Sequence, residues 1–292
     1  MPLSPKPSAA ALALLLSAAS LAHAQLDIEA PADFKVELVY EVPRDDQGSW
    51  VALAHDPKGR IIAADQYGSL YRITPPAVSS SAAASIEELQ VDLSSPDAED
   101  AGGSDTPPNY VGAHGLLYAF DSLYVMVCEN RGKQGLWRLR DTDGDDQFDE
   151  AKYLRRMSGS GEHGPHSLAL SPDGKSIYFA NGNHTDLPEN LEIALPVAWG
   201  EDHLLPRLWD ARGHAKGIYA PGGYIGRTDP EGKTMELIAI GFRNQFDLAF
   251  DQSGELFTYD SDMEWDQGTP WYMPTRINHV VEAADYGWRS GA

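Results

Sequence analysis

The sequence predicts an all-β fold: a β-propeller of the six-bladed type, incomplete, with about four to five blades present. Two observations predict it. One hairpin unit recurs along the chain, as LAHDPKGRIIAAD (residues 53–65), LALSPDGKSIYFAN (residues 168–181) and LAFDQSGELFTYD (residues 248–260). Each copy has Leu-Ala, a turn containing Gly, an apolar strand and a terminal Asp or Asn; LYAFDSLYVMV (residues 117–127) is a fourth copy without the glycine. In addition, no stretch beyond the N-terminus carries the period of a long helix. Hairpins repeated at blade-sized intervals bury their faces against one another in a ring. An antiparallel sandwich holds similar hairpins, but the specific internal similarity favours the propeller.

Residues 1–24 read as a signal peptide. Lys6 supplies the positive start, residues 9–21 are small and apolar, and Ala22-His23-Ala24 fits the small-x-small cleavage rule. The apolar run is short for a membrane span, so none is expected in the mature chain. The mature protein is then residues 25–292, exported to a periplasm or beyond. Losing Lys6 takes the formal net charge from −22 to −23. Such an acidic chain is a poor partner for nucleic acid or anionic membrane, because phosphate contacts need cationic side chains. The single cysteine, Cys128, rules out an internal disulfide and follows an apolar run, which reads as a buried small hydrophobe.

Further along, residues 79–85 (SSSAAAS) and 94–108 (SSPDAEDAGGSDTPP) are surface excursions, with IEELQVDL between them as a short strand or helical turn. Residues 191–212 read as a long loop insertion. GGYIGRTDPEGKTMELIAIGF then makes a clean hairpin turning at Asp229-Pro230-Glu231-Gly232. The chain stops at Ala292, after ADYGWRSG. A six-bladed ring uses more residues, so the propeller is expected to be truncated at its C-terminus.

The chemistry concentrates around GEHGPHSLALSPDGKSIYFANGN (residues 161–183), a polar loop with two histidines leading into the central hairpin. Loops leading into the innermost strands of a propeller meet at one mouth of the channel. Here they would bring Ser49, His114, His163, His166, Arg243 and Asn244 together. Histidine transfers protons near neutrality, and Arg is a fixed cation for an oxyanion or carboxylate. A second constellation is DTDGDDQFD, where Asp141, Asp143, Asp145 and Asp149 surround Gly144. Four carboxylates on a tight turn suit Ca²⁺. Lys152 stands where an EF-hand would have Glu, and the spacing resembles the DxDGDxxxD hairpins of integrin-type propellers.

EHGPHSLALSPDGKSIYFANGNHTD, GFRNQFDLAFDQSGELF and NHVVEAADYGWRSG resemble the glucose/sorbosone dehydrogenase family of six-bladed propellers. FKVELVYEVP, GSWVALAHDPKGRIIAADQYGSLYRI and EWDQGTPWYMPTRINHV resemble, within it, the membrane-bound dehydrogenase propellers common in planctomycetes and verrucomicrobia. The resemblance implies that His163 is a general base taking a hydroxyl proton while hydride passes to pyrroloquinoline quinone (PQQ). It also implies that Arg243 and Asn244, on the G-x-R-N motif, contact the quinone. Phe246 stands in place of the family's Gln, Asp262-Met263 in place of the Gly-Pro whose carbonyls face cofactor calcium, and Asn183 in place of an acid near the hairpin end. Asp262, at the replaced Gly-Pro, joins Arg243 and Asn244 as a cofactor-binding candidate, and His114, His166 and Asn183 are further channel-mouth candidates.

The function expected is oxidation of a sugar or alcohol hydroxyl by a periplasmic quinoprotein-type dehydrogenase, passing electrons to a c-type cytochrome. A calcium-dependent lactonase or hydrolase, or a non-catalytic carbohydrate- or protein-binding propeller, is the alternative.

Overall fold

The computed structural model describes residues 28–78, 80–95, 109–188, 191–193, 206, 209, 215–261 and 275–290. Residues 1–24 and Asp262 lie outside them. The chain forms two units, Met1–Leu38 and Val39–Ala292. Residues 28–38 of the first are exposed and carry no helix or strand. The second holds the four blades of a β-propeller.

The first blade is β1 (Trp50–His55), β2 (Ile61–Asp65), β3 (Leu70–Thr74) and β4 (Ser85–Glu88), in that spatial order. The second is β5 (Ala113–Ala119), β6 (Ser122–Val127), β7 (Gly135–Arg140) and β8 (Glu150–Arg156), also in order. The third runs β9 (Pro165–Leu170), β10 (Ile177–Asn181), β12 (Gly223–Thr228), β13 (Glu236–Phe242). Its outer edge takes β11 (Glu192–Ile193) in parallel, so the stretch read as a loop insertion contributes a short strand. The fourth blade has β14 (Gln245–Phe250), β15 (Leu256–Asp260) and β16 (Arg276–Val280); β17 (Ala284–Asp285) returns to pair with β13. Helix is confined, among the described residues, to four residues, Arg44–Gln47, and a 3₁₀ turn, Gly161–His163. None is long and apolar enough to cross a membrane.

Each hairpin turn follows from its sequence. Asp56 Oδ1 accepts the backbone N–H groups of Lys58 and Arg60, and Asp251 Oδ1 accepts those of Ser253 and Glu255. In the central copy Ser171 Oγ does this for Lys175 and Ser176, absorbing the extra residue. The copy lacking glycine turns on Phe120 and Asp121, both at positive φ, as a two-residue hairpin of right-handed twist demands.

Alternation along the second strands explains the stacking of blades. In β6, Leu123, Val125 and Val127 join the core shared with Ile62 and Leu70 of the first blade. Tyr124 and Met126 point the other way, into a core with Phe179, Tyr224 and Leu237 of the third. The same logic packs Ala180 and Ile225 against Leu248, Leu256 and Val280. A strand covered on both faces is apolar throughout, and β6 is buried along its whole length.

Candidate functional site

One backbone device shapes all four inner strands. Each pairs with its second strand through a bulge just after its start: at Val51, at His114, at His166-Ser167 opposite Ala180, and at Phe246-Asp247 opposite Tyr259. An extra residue in one strand re-aims a side chain and bends the strand. Register therefore makes Val51, His114, His166 and Phe246 equivalent positions of successive blades, and three of them meet. The His114 and His166 rings stack 5.5 Å apart at 3°, and Phe246 lies 4.7 Å from His166 and 6.2 Å from His114. Gly115 permits the approach, since a Cβ there would lie 2.2 Å from the His166 carbonyl oxygen.

Hydrogen bonds join these side chains into two chains. In one, His166 Nε2 donates to Asn244 Oδ1 at 2.8 Å, while its Nδ1 faces His114 Nδ1 at 3.4 Å. In the other, His163 Nδ1 donates to Asn183 Oδ1 at 2.6 Å, and Asn183 N donates to the Arg243 carbonyl at 2.8 Å. Asn183 thus links the His163 ring to the backbone of Arg243. The Arg243 guanidinium donates to the Ser261 carbonyl at 3.1 Å. Asp260 holds the loop itself, accepting Arg243 N at 3.0 Å and Asn244 N at 2.7 Å. Asp65 does the same in the first blade, accepting Ser49 N at 3.0 Å.

The site is enclosed. His163 is 1% exposed, His166 0% and Arg243 8%. Burial lowers His114 and His166 to about 4, with the neighbouring His166 adding to the effect at His114, so both are neutral at neutral pH. Behind His114 lie Cys128 and Glu129: Glu129 Oε1 is 3.8 Å from His114 Nε2 and 4.0 Å from Cys128 Sγ. Burial pushes the Cys128 thiol and the Glu129 carboxyl up from their ordinary values.

The acidic turn is a separate place, the connection from β7 to β8. Asp141, Asp143 and Asp145 bring carboxylate oxygens within 4.8 Å of one another. Asp149 turns aside, accepting both the backbone N–H and the hydroxyl of Thr142. The fifth acid, Asp146, has positive φ and reaches the first blade, where Arg60 Nη2 meets it at 2.7 Å and Lys58 Nζ at 2.9 Å. The Arg60 hydrogen bond holds the Asp146 carboxyl well below the usual carboxylate range.

Two features escape the sequence reading. The bulges put His166 inside β9 and His114 inside β5, not in the loops before them, because a one-residue insertion leaves no compositional mark. Glu162, Glu129 and Asp260 also join the site. A signal for Asp260 does exist in the repeats, where it aligns with Asp65 at the end of the second strand.

Solved structures share the fold. The PQQ-bound aldose sugar dehydrogenase of Streptomyces coelicolor matches with a TM-score of 0.52 and 17% identity, over 82% of this chain and 62% of that one. A calcium structure of a Trichoderma reesei carbohydrate-active enzyme of family AA12 matches at 0.52 and 11%, over 84% and 55%. The holo PQQ domain of pyranose dehydrogenase from Coprinopsis cinerea matches at 0.49 and 10%, over 82% and 52%. This chain thus spans between 52% and 62% of their lengths. No protein-family model and no curated protein matches it. At these identities the likeness establishes the fold alone: the chain is a β-propeller that shares the architecture of the Streptomyces coelicolor and Trichoderma reesei structures.

Proposed function

We propose that this chain is the propeller of an exported oxidoreductase that oxidises a hydroxyl-bearing carbon of a sugar or other alcohol, with His163 as general base. One observation carries the reading: the 2.6 Å bond from His163 Nδ1 to Asn183 Oδ1. An amide oxygen only accepts, so the proton sits on Nδ1 and Nε2 is the basic nitrogen of the neutral ring. Asn183 is itself fixed by its backbone N–H to the Arg243 carbonyl, which holds the partner of the base in place. Glu162 Oε1 lies 3.6 Å from His163 Nε2 on a side chain 75% exposed, and so offers the abstracted proton an outlet to water.

The donor set fits a quinone such as PQQ. Asn183 Nδ2 is a buried donor with no hydrogen-bond acceptor among the described residues, which a ligand oxygen would satisfy. Arg243 and Asn244 would share in holding the cofactor, as the resemblance to the glucose/sorbosone dehydrogenases and their membrane-bound subgroup implies. When bound, such a quinone supplies the two-electron acceptor for the substrate hydride. Arg243 would stabilise negative charge developing on oxygen in the enclosed site. Asp141, Asp143 and Asp145 would hold a structural Ca²⁺, their spread suiting oxygens each 2.3–2.6 Å from such an ion. Electrons would leave to a c-type cytochrome.

The test supplies the purified chain with PQQ, Ca²⁺, aldose sugars and a redox dye. Sugar-dependent dye reduction is expected. His163→Gln should lower turnover by at least ~100-fold, the low end for loss of a general base, and His166→Gln far less. Lactone hydrolysis or sugar binding without any dye reduction would overturn the dehydrogenase reading.

A further inference from the structure

We propose that His114, Cys128 and Glu129 form a binding site for a divalent transition-metal ion of the zinc class. His114 Nε2, Cys128 Sγ and Glu129 Oε1 all lie within 4.8 Å of one another. Two of the three separations are 3.8 Å and 4.0 Å. A tetrahedral metal with ordinary bonds to sulfur, nitrogen and oxygen would separate such atoms by roughly 3.4–3.6 Å. Two of the three edges therefore need to close by only a few tenths of an ångström.

Independent evidence for a ligand comes from His114. It is 3% exposed, and its Nε2 has no hydrogen-bond partner among the described residues. A buried ring nitrogen aimed at a thiol and a carboxyl, yet bonded to neither, is costly in a folded protein unless something sits between them. One tautomer completes the hydrogen-bond chain behind the ring. In it Asn244 Oδ1 accepts from His166 Nε2 and His166 keeps a lone pair on Nδ1. His114 Nδ1 faces that lone pair at 3.4 Å and carries the proton, which leaves Nε2 as a lone pair directed at Cys128 and Glu129. A ligating histidine held by a hydrogen bond on its other nitrogen is the usual outer support of a metal site.

The backbone presents the other two ligands in advance. Cys128 N and Glu129 N both donate to the Gly112 carbonyl, at 2.9 Å and 3.0 Å, while the bulge turns His114 toward them. Their chemistry selects the ion. Thiolate and imidazole favour Zn²⁺ and its neighbours over Ca²⁺ or Mg²⁺. Binding forms a metal–sulfur bond in place of the Cys128 S–H bond, breaks the 3.4 Å hydrogen bond from that thiol to the Gly161 carbonyl and releases the proton to water, with no change of oxidation state. Three protein ligands leave a fourth position for water or a small ligand. The site shares no ligand with the acidic turn and does not depend on the dehydrogenase reading.

The experiment titrates chelator-stripped protein with Co²⁺ as the spectroscopic probe. One equivalent should produce thiolate-to-cobalt charge-transfer absorption in the near ultraviolet and tetrahedral bands in the visible, both displaced by Zn²⁺. Cys128→Ser should abolish the charge-transfer absorption, and His114→Ala should abolish stoichiometric binding. His166→Gln should weaken binding by roughly 10–100-fold, the usual loss when an outer support is removed. Asp143→Ala should leave the spectrum intact. Folding of each variant is checked by circular dichroism, and the wild-type spectrum stands without them. Absence of thiolate absorption in wild-type protein would overturn the proposal, as would cobalt bands that survive Cys128→Ser but vanish with Asp143→Ala.

Discussion

Replacing Gly115 by Ala tests whether the inner strands pack as closely as the site requires. The added Cβ would lie 2.2 Å from the His166 oxygen, 3.1 Å from its carbonyl carbon and 3.0 Å from Ser167 Cα. All three are backbone atoms, so no side chain can swing away. Ordinary contact begins near 3.4 Å, and β5 must therefore part from β9 by more than an ångström. Gly115 is not among the positive-φ glycines, so the penalty is crowding and not backbone strain. Overpacking of this kind costs about 1–3 kcal/mol, and immovable neighbours place it in the upper half. For a domain of this size, about 2–3 kcal/mol lowers Tm on the order of 4–12 °C. Calorimetry reads the shift, and histidine NMR signals read the separation of His114 from His166. Gly174→Ala is the control: its φ is 68° with nothing within 4 Å of the new Cβ, so it carries left-handed strain of about 1–2 kcal/mol and leaves the histidine signals alone. Unchanged melting and unchanged histidine signals in Gly115→Ala would refute the close approach.

Other perturbations reach other parts of the molecule. Phe179→Ala empties a fully buried position in the core between the second and third blades, and should cost about 3–5 kcal/mol in denaturant unfolding. Asp143→Ala should remove any rise in Tm that Ca²⁺ gives the wild type; a calcium shift that survives it would place the ion elsewhere. Glu231 is held below the usual carboxylate range by Lys152 and then Arg138. Its contribution is complete above the unfolded value of about 4.3 and is lost as pH falls through the lower folded value, so Glu231→Gln should flatten the acid limb of a Tm–pH curve. The group is partly exposed, which keeps that effect to about 1 kcal/mol or less.

The hairpins were legible because their signals are local. A Gly in a tight turn, an Asp or Ser before it and an apolar strand after it sit within a dozen residues of one another. Even the copy without glycine kept its strands, with Phe120 and Asp121 accepting the strained conformation. The site was legible only as a set of residue types arriving at one mouth. Contacts such as Arg60 with Asp146, or His166 with Asn244, span 86 and 78 residues, and depend on how neighbouring blades register. Periodicity says which face of a strand is buried, but a bulge changes that face midway without altering composition. For this reason His114 and His166 read as loop residues from the sequence, whereas Cys128, at the end of an unbulged apolar strand, read correctly as buried.

The equivalence of Val51, His114, His166 and Phe246 separates scaffold from chemistry within one fold. The backbone repeats the same bulge in the four described blades, so each inner strand presents one side chain at the same register position. What is delivered differs: an aliphatic residue in the first blade, imidazoles in the second and third, a phenyl ring in the fourth. The two imidazoles, stacked and buried, are driven to their neutral forms, which leaves them lone pairs to offer without a charge to solvate. Phe246 lies tilted against His166, its ring 4.7 Å away, and low polarity around a nitrogen lone pair strengthens whatever it binds. His163 and Arg243 occupy equivalent positions by the same logic, each two residues before the strand of its own blade begins. A repeated backbone thus ties the His163 ring, through Asn183, to the backbone of Arg243, although 80 residues of chain separate them.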